Sequence, residues 1–249
     1  MTVRFVGAGP GAADLVTVRA ARIIASSPVC LYAGSLVPRE LLDTCPADAR
    51  VVNTARMTLD AIVDELVTAS RDGLDVARVH SGDPSLYSAV AEQSRRLDAA
   101  GVDYEIVPGV PAFAAAAAAL GRELTVPGIS QSVVLTRVST LSTAMPDGED
   151  LPTLARSGAT LVIHLGARQI HSITEQLVPH YGSDCPAAVV AFASRADEVI
   201  VRGTLADLAD ATVAAGIVKT AVVVVGRVLS AEGFPDSFLY SAARRRLDH

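Results

Sequence analysis

The stretch Val3-Arg4-Phe5-Val6-Gly7-Ala8-Gly9-Pro10-Gly11 decides the fold of this chain. Its first residues are β-branched or aromatic, which is typical of a strand, and three glycines around a proline end that strand in a tight turn. Thr17 follows as the expected N-cap of a helix that begins at Val18. Ligands of α/β sheets bind outside the carboxyl ends of the strands. We therefore expect a functional site where this first strand ends.

The glycine spacing also permits a nicotinamide or flavin site, or a tight turn without any ligand. Gly7, Gly9 and Ala12 fit the loose dinucleotide fingerprint, which also requires an acidic residue about 20 residues later. The second predicted strand, Val29 to Tyr32, carries no such carboxylate. Pro10 removes one N–H donor that the loop would direct at a pyrophosphate. A nicotinamide-dependent oxidoreductase therefore stays only as the alternative.

Composition limits the class of protein. The chain has 249 residues, of which 50% are hydrophobic and 19% charged, and this suits a core-rich globular protein with one large or two medium domains. A net charge of −6 disfavours nucleic acid as a partner. The cluster Arg244-Arg245-Arg246 is interpreted as a solvated tail.

The sequence contains no signal for export, membrane insertion or metal binding. No charged and then apolar leader precedes the first strand, and the apolar run from Val110 to Leu120 is too short to span a bilayer. Three cysteines, Cys30, Cys45 and Cys185, show neither metal-ligand spacing nor a disulfide framework. We expect a cytoplasmic protein without a membrane partner.

Strands and helices alternate in the first half of the chain, which predicts a parallel sheet with helices on both faces. One helix is expected to begin after Thr58 as its N-cap and to end at Asp72-Gly73. The remaining strands are predicted at Val29 to Tyr32, Arg50 to Asn53, Val76 to His80 and Tyr104 to Val107.

The second half has a different pattern, with five apolar strand candidates and clear helices only at Gln169 to Val178 and Leu205 to Ala215. The strands around Val190 and Ile200 are joined by a link too short for a crossover helix, so they should be antiparallel. We therefore predict a two-domain α/β fold. A parallel-sheet N-terminal domain (1–112) and a mixed-sheet C-terminal domain (120–249) would hold the active site in a cleft between them.

Several predicted strands end in small residues, and the common catalytic signatures are missing. There is no Gly-x-Ser-x-Gly elbow, no His-Glu-x-x-His and no phosphate loop with a lysine. Asp83 is the only acidic residue at these strand ends, and His164 continues an apolar strand as a buried imidazole. This pattern favours a bulky ligand that is bound by backbone groups and one carboxylate, with transfer of an already activated group.

Two longer patterns identify a family. Val6-Gly7-Ala8-Gly9-Pro10-Gly11 with Leu15-Val16-Thr17-Val18-Arg19-Ala20 is similar to the first signature of the tetrapyrrole methylases. The segment from Val76 to Ser88, followed by Val107-Pro108-Gly109, resembles the second signature. The resemblance covers essentially the whole chain.

The loop Leu31-Tyr32-Ala33-Gly34-Ser35-Leu36-Val37 resembles the branch of this family that acts on precorrin-4, and Leu135 to Ser139 fits the same branch. The resemblance implies an S-adenosylmethionine-dependent enzyme that methylates carbon 11 of precorrin-4, or of its cobalt form, in cobalamin biosynthesis and releases S-adenosylhomocysteine. It also implies a homodimer. Methylation of another ring position of a precorrin or of uroporphyrinogen, and a ligand-binding module without activity, stay open as alternatives.

The resemblance also implies which residues contact the cofactor. Ala193 and Ala221 would leave room for a flat base, and Asp83 would pair with the ammonium group or accept a ribose hydroxyl. The alternative for Asp83 is an Asx turn before Pro84. By position, the implied cofactor contacts are Pro10, Ser81, Gly82, Asp83, Pro111, Ala112, Leu165, Ala193 and Ala221.

Candidate substrate contacts are Tyr32, Ser35, Thr136 and Arg137. Arg137 would bind one of the carboxylates of a precorrin bidentately. No catalytic residue and no metal ligand is assigned from the sequence.

Overall fold

The structure is a computed structural model that describes residues 1–139 and 144–236. The chain divides into two compact units, Met1–Ala115 and a second that begins at Ala116. The cluster Arg244-Arg245-Arg246 lies outside the described residues.

Unit 1 contains a five-stranded parallel sheet with the strand order β3-β2-β4-β1-β5. The predicted parallel sheet is confirmed. Its strands are β1 (Val3–Gly7), β2 (Val29–Tyr32), β3 (Arg50–Asn53), β4 (Val76–His80) and β5 (Tyr104–Val107). Its helices are α1 (Val18–Ser26), α2 (Arg39–Leu42), α3 (Leu59–Arg71) and α4 (Val90–Ala99), and α5 (Ala112–Leu120) crosses the boundary between the units.

Both faces of this sheet are buried because successive residues of a strand point to opposite sides. Phe5 and Leu31 pack on one face with Leu66 of α3 and Leu97 of α4. The other face includes Val6, Cys30 and Val79 and packs against Ile24 of α1 and Leu41 of α2.

Two helix starts follow the predicted N-caps. The Thr17 hydroxyl accepts a hydrogen bond from the Ala20 N–H at 3.1 Å, and the Thr58 hydroxyl accepts one from the Ala61 N–H at 3.2 Å. Each side chain satisfies one of the free N–H groups in the first turn of its helix. Both predicted caps are confirmed.

Unit 2 contains a mixed five-stranded sheet with the strand order β6-β7-β10-β8-β9. β6 and β7 are parallel, whereas β10 is antiparallel to both β7 and β8, and β8 is antiparallel to β9 as predicted. The strands are β6 (Val133–Arg137), β7 (Thr160–His164), β8 (Pro186–Ala191), β9 (Val199–Thr204) and β10 (Ala221–Val225). The helices are α6 (Leu151–Ala155), α7 (Ile170–Tyr181) and α8 (Leu208–Ala214).

The structure adds two helices that were not expected and extends a third. Helices α2 and α6 were not expected, since neither is long enough to show an apolar period. Helix α7 runs past Pro179 to Tyr181, although a proline normally ends a helix. The Tyr181 hydroxyl donates to the Ala159 carbonyl at 2.5 Å and the ring packs on the unit 2 core, so tertiary contacts hold this last turn.

Within residues 1–139 and 144–236, none of the helices combines the length and the apolar character that crossing a bilayer requires.

Candidate functional site

The ends of β1 and β4 lie side by side at the carboxyl edge of the unit 1 sheet. The Ala8 N–H donates to the His80 carbonyl at 2.7 Å. Gly9 and Gly82 then pair in both directions, with N–H to carbonyl distances of 3.3 Å and 2.7 Å. The two loops are therefore joined through their backbones beyond the last residues of the strands.

Three glycines meet at this edge, one from each of β1, the loop after β4 and the loop after β5. A Cβ atom on Gly7 would lie 2.5 Å from the Gly109 Cα, and one on Gly109 would lie even closer to the Gly82 carbonyl oxygen. No side chain fits at such distances, because the neighbouring atoms belong to the backbone. We call Gly7, Gly82 and Gly109 the glycine junction.

Asp83 connects two of these loops. Its Oδ1 accepts hydrogen bonds from the Ser85 N–H at 2.8 Å and from the Ser85 hydroxyl, and its Oδ2 accepts one from the Gly109 N–H at 2.7 Å. The Asx turn, the alternative considered for Asp83, is confirmed. Burial raises the pKa of Asp83, but the hydrogen bonds from Ser85 and Gly109 outweigh it and lower the pKa overall. The carboxylate is therefore ionised and joins the β4 and β5 loops.

Six of the predicted cofactor contacts lie along this edge. Gly82 is next to the start of α5, since a Cβ atom on it would lie 3.8 Å from the Ala112 nitrogen and 3.9 Å from the Pro111 Cα. Pro10 follows Gly9, which pairs with Gly82. The structure thus brings together Pro10, Ser81, Gly82, Asp83, Pro111 and Ala112, all of which are partly exposed.

The other three predicted contacts lie at one edge of the unit 2 sheet. Ala221 at the start of β10 pairs with Ala191 at the end of β8, and the neighbouring Val222 pairs with His164 at the end of β7. Leu165 and Ala193 closely follow these strand ends. Leu165 is exposed, whereas Ala193 and Ala221 are buried.

Left-handed backbone is concentrated at this edge in residues other than glycine. Leu165, Phe192, Ser194 and Thr220 have φ angles of +57°, +52°, +67° and +54°. Such conformations cost free energy for residues with a side chain and occur preferentially at functional sites. Phe192, Ser194 and Thr220 were missed by the sequence analysis, since nothing in the residue types signals a left-handed conformation there.

Hydrogen bonds and one stacking contact hold the turn around Ala193. The Phe192 N–H donates to the Thr220 carbonyl at 2.9 Å, and the Ser194 N–H donates to Glu198 at 2.7 Å. The Arg195 guanidinium lies 5.2 Å from the centre of the Phe192 ring. The position of Ala193 is therefore fixed by its neighbours.

The predicted substrate contacts occupy different environments. Tyr32 is partly buried at the end of β2, and Ser35 is exposed in the loop that follows. Thr136 is buried, and its hydroxyl donates to the Arg137 carbonyl at 3.3 Å. The Arg137 guanidinium donates to the Val138 and Ala144 carbonyls, each at 3.1 Å. All four roles stay predictions.

Two histidines at the ends of β4 and β7 are neutral at physiological pH. Burial, with a smaller effect of the Arg78 charge, lowers the pKa of His80 to about 3. Burial also lowers the pKa of His164. Neither imidazole is suited to hold a proton near pH 7. His80 is buried, whereas His164, which was predicted to be buried, is only partly buried at the end of β7.

Comparisons with known proteins agree with this geometry. The family described as Tetrapyrrole (Corrin/Porphyrin) Methylases matches residues 2–209. The chain is 72% identical to a precorrin-4 C(11)-methyltransferase of Rhodococcus erythropolis, over all of both chains. It is 63% identical to a protein of the same name from Mycobacterium tuberculosis, over 98% of each chain.

Solved structures show the same fold. A cobalt precorrin-4 methyltransferase has a TM-score of 0.89 at 39% identity, with 92% of this chain and 95% of that chain covered. A uroporphyrin-III C-methyltransferase of Thermus thermophilus, solved in complex with S-adenosylhomocysteine, has a TM-score of 0.78 at 28% identity and covers 92% of this chain and 99% of its own. From the two sheets, the glycine-lined strand ends and these matches, we conclude that the chain belongs to the tetrapyrrole methylase family.

Proposed function

We propose that this protein transfers a methyl group from S-adenosylmethionine to carbon 11 of precorrin-4, or of cobalt-precorrin-4, in cobalamin biosynthesis. The observation that carries the proposal is the 72% identity to the Rhodococcus erythropolis relative over the full length of both chains. For the two proteins to act on different substrates, the positions at which they differ would have to include those that select the substrate.

The unit 1 edge fits a cofactor that is bound mainly by backbone groups. The glycine junction packs backbone directly against backbone without an intervening side chain, and Ala112 adds only a methyl group at the start of α5, so main-chain groups dominate this edge. The Thermus thermophilus relative was solved with S-adenosylhomocysteine, the product of the reaction proposed here. When bound, S-adenosylmethionine supplies a methyl group that is already activated on a sulfonium.

We assign the cofactor contacts to the nine predicted positions. Asp83 contributes through its backbone and by holding the Gly109 loop, since both of its carboxylate oxygens already accept hydrogen bonds. In unit 2, Ala193 and Ala221 carry only methyl groups and would therefore leave room for an adenine ring. The nine positions are Pro10, Ser81, Gly82, Asp83, Pro111, Ala112, Leu165, Ala193 and Ala221.

The residues of this chain contribute by binding and orienting the two reactants. His80 and His164 have lowered pKa values and are poor bases, and Asp83 is occupied by neighbouring N–H groups. Fixing a nucleophilic carbon and an activated methyl group in line for attack can supply about 7–11 kcal/mol of the barrier. Positioning therefore accounts for the catalysis, and no general base is assigned.

Tyr32, Ser35, Thr136 and Arg137 are the proposed substrate contacts. A precorrin carries several carboxylates, and a guanidinium is the side chain that binds a carboxylate through two parallel hydrogen bonds. Arg137 now donates to the Val138 and Ala144 carbonyls, so the substrate would have to replace these acceptors.

We also propose that the protein is a homodimer in the cytoplasm. Light scattering on the purified protein tests the oligomeric state.

The activity is tested by incubation with S-adenosylmethionine that carries a ¹³C-labelled methyl group, together with precorrin-4 or its cobalt form. The expected result is release of S-adenosylhomocysteine and a labelled methyl group that NMR places on carbon 11. A label on another ring carbon, or transfer only to uroporphyrinogen, would overturn the proposed position. Oxidation of NADH without methyl transfer would support the oxidoreductase alternative instead.

A further inference from the structure

A buried arginine lies beneath the carboxyl edge of unit 1. Arg78 is on β4 and only 4% exposed. Its Nε donates to the Gln93 Oε1 at 2.9 Å, and its Nη1 donates to the Thr54 hydroxyl at 3.0 Å and to the Leu31 carbonyl at 3.5 Å. The guanidinium therefore bonds only neutral acceptors among these contacts.

Within residues 1–139 and 144–236, no carboxylate lies within ion-pair distance of this guanidinium. Burial lowers the pKa of Arg78 to about 10, which leaves it protonated at neutral pH. A buried charge without a counter-ion is costly to the folded state. Such a residue is poorly explained by stability alone.

The acceptors of Arg78 extend to two loops at the proposed site. On one side, the Thr54 hydroxyl and N–H both donate to the Tyr32 carbonyl at 3.0 Å, directly before residues 33–37. On the other side, the Gln93 amide donates to the Ala89 carbonyl at 3.0 Å. Ala89 has a left-handed φ of +52° and ends the loop that begins at Ser81. We call Thr54, Arg78 and Gln93 the arginine bridge.

We propose that Arg78 is a positioning residue for the methyl transfer, because the arginine bridge fixes the substrate loop (residues 33–37) relative to the loop that carries Ser81–Asp83. This inference rests on the proposed function, since it assigns the first loop to the tetrapyrrole and the second to S-adenosylmethionine. Arg78 itself touches neither ligand. Only a planar group with several N–H donors can reach acceptors on both sides at once.

The two connections of the arginine bridge, through Thr54 to Tyr32 and through Gln93 to Ala89, can be broken separately. Thr54→Val keeps the shape of the side chain but removes the hydroxyl that joins Arg78 to Tyr32, so the substrate loop should be released. Gln93→Leu should release the Ala89 side instead. Arg78→Lys keeps the charge but cannot bond both partners, so it should release both loops.

The first test is amide hydrogen exchange, which needs no activity. Thr54→Val is expected to speed exchange within residues 33–37, Gln93→Leu within residues 85–89, and Arg78→Lys within both, with unit 2 unchanged. Thr54→Ser keeps the hydroxyl and is the matched control that should exchange as the wild type does. Equal exchange in wild type and Arg78→Lys, or a uniform increase over all of unit 1, would overturn the inference.

The second test separates positioning from a purely structural role. In Thr54→Val, kcat/KM for precorrin-4 should fall about tenfold or more, the loss expected for a hydrogen bond to a charged group, and Thr54→Ser should restore it. The calorimetric affinity for S-adenosylhomocysteine should stay within about twofold of wild type, since no cofactor contact is altered. A loss of activity that only follows the loss of folded protein would contradict a positioning role.

Failure of the proposed function gives a different result. If the wild type does not methylate precorrin-4, that function is wrong, while the exchange pattern still decides whether the arginine bridge holds both loops.

Discussion

At Gly7, the space that a side chain would occupy is filled by the backbone of Gly109 and Gly82. Gly7→Ala would put a Cβ atom 2.5 Å from the Gly109 Cα, and this overpacking should cost about 1–3 kcal/mol of unfolding free energy. Because the junction has to shift to admit the extra methyl group, the affinity for S-adenosylhomocysteine should fall as well. Urea unfolding and calorimetry measure the two effects.

Gly101→Ala is the control for that experiment. Gly101 has a φ of +67°, and a Cβ atom added to it would meet nothing within 4 Å, so the variant should lose roughly 1–2 kcal/mol through conformation alone. Its affinity for S-adenosylhomocysteine should equal that of the wild type. If Gly7→Ala also binds normally, the glycine junction is structural only.

The buried His80 should make the free energy of unfolding fall as the pH is lowered. The pKa of His80 is lowered from 6.5 to about 3 by burial and by the Arg78 charge, so the unfolded chain binds a proton more readily than the folded one. Stability is therefore complete above about pH 6.5 and falls as the pH is lowered toward 3, by about 1.4 kcal/mol for each pH unit per histidine. His80→Leu should remove this share of the loss.

Urea unfolding at about pH 7.5 and 5.5 measures that difference, which should be about 1.4 kcal/mol smaller in His80→Leu than in wild type. Some loss should persist, since the pKa of His164 is lowered too. Leu97→Ala, a core truncation that removes no titratable group, serves as the control and should lower the stability equally at both pH values. An unchanged dependence in His80→Leu would show that His80 is not buried as a neutral imidazole.

At the scale of elements, the N-caps of helices α1 and α3 can be compared. Thr17 caps α1 near the proposed site, and Thr58 caps α3. Thr17→Ala and Thr58→Ala each remove one hydroxyl-to-backbone hydrogen bond of nearly equal length and should each cost about 1 kcal/mol. Thr17 also donates to the Pro108 carbonyl at 3.5 Å, next to the glycine junction. Only Thr17→Ala should therefore raise the KM for S-adenosylmethionine.

Thermal unfolding and initial rates on the two variants check that expectation. Thr17→Ser should recover both stability and KM because it keeps the hydroxyl. If Thr58→Ala raises the KM as much as Thr17→Ala, the effect follows from general destabilisation and the link to Pro108 has no functional meaning.

Whether the sequence revealed an element depended on the length of its apolar pattern. The strands were predicted near their observed positions, because buried strands such as Ala221–Val225 read as continuous apolar or β-branched runs. Helices α2 and α6 have four and five residues and give no such period. Helix α4 begins at Val90, directly after the left-handed Ala89, and no residue type announced that conformation.

The candidate site was predictable only in part, because some of its features depend on contacts between residues that are distant in the chain. Glycines at strand ends are visible in the sequence, and so is the Asx turn at Asp83. The contact of Gly7 with Gly109 depends on strand order, which a sequence does not contain. The left-handed Phe192 and Thr220, and the connection from Arg78 to two loops, likewise depend on neighbours distant in the chain.

At the scale of the whole molecule, each sheet has its own hydrophobic core, and the predicted cofactor contacts other than Ala193 and Ala221 are partly or fully exposed near the strand ends. Small changes at these edges should therefore alter binding more than folding. A ligand that binds only the folded state stabilises it in proportion to the logarithm of its concentration over Kd. S-adenosylhomocysteine should accordingly raise the Tm of the wild type.

The most direct test of the account is a calorimetric titration with S-adenosylhomocysteine of wild type, Ala112→Leu and Ala118→Leu, two variants that make the same change on helix α5. Ala112 lies beside Gly82, whereas Ala118 is exposed farther along the helix. We predict saturable binding to the wild type and wild-type affinity for Ala118→Leu. Binding to Ala112→Leu should be at least about tenfold weaker, because a clash between the larger side chain and the ligand costs about 1–3 kcal/mol. No binding to the wild type, or equal binding to all three proteins, would contradict a cofactor site at the glycine-lined edge.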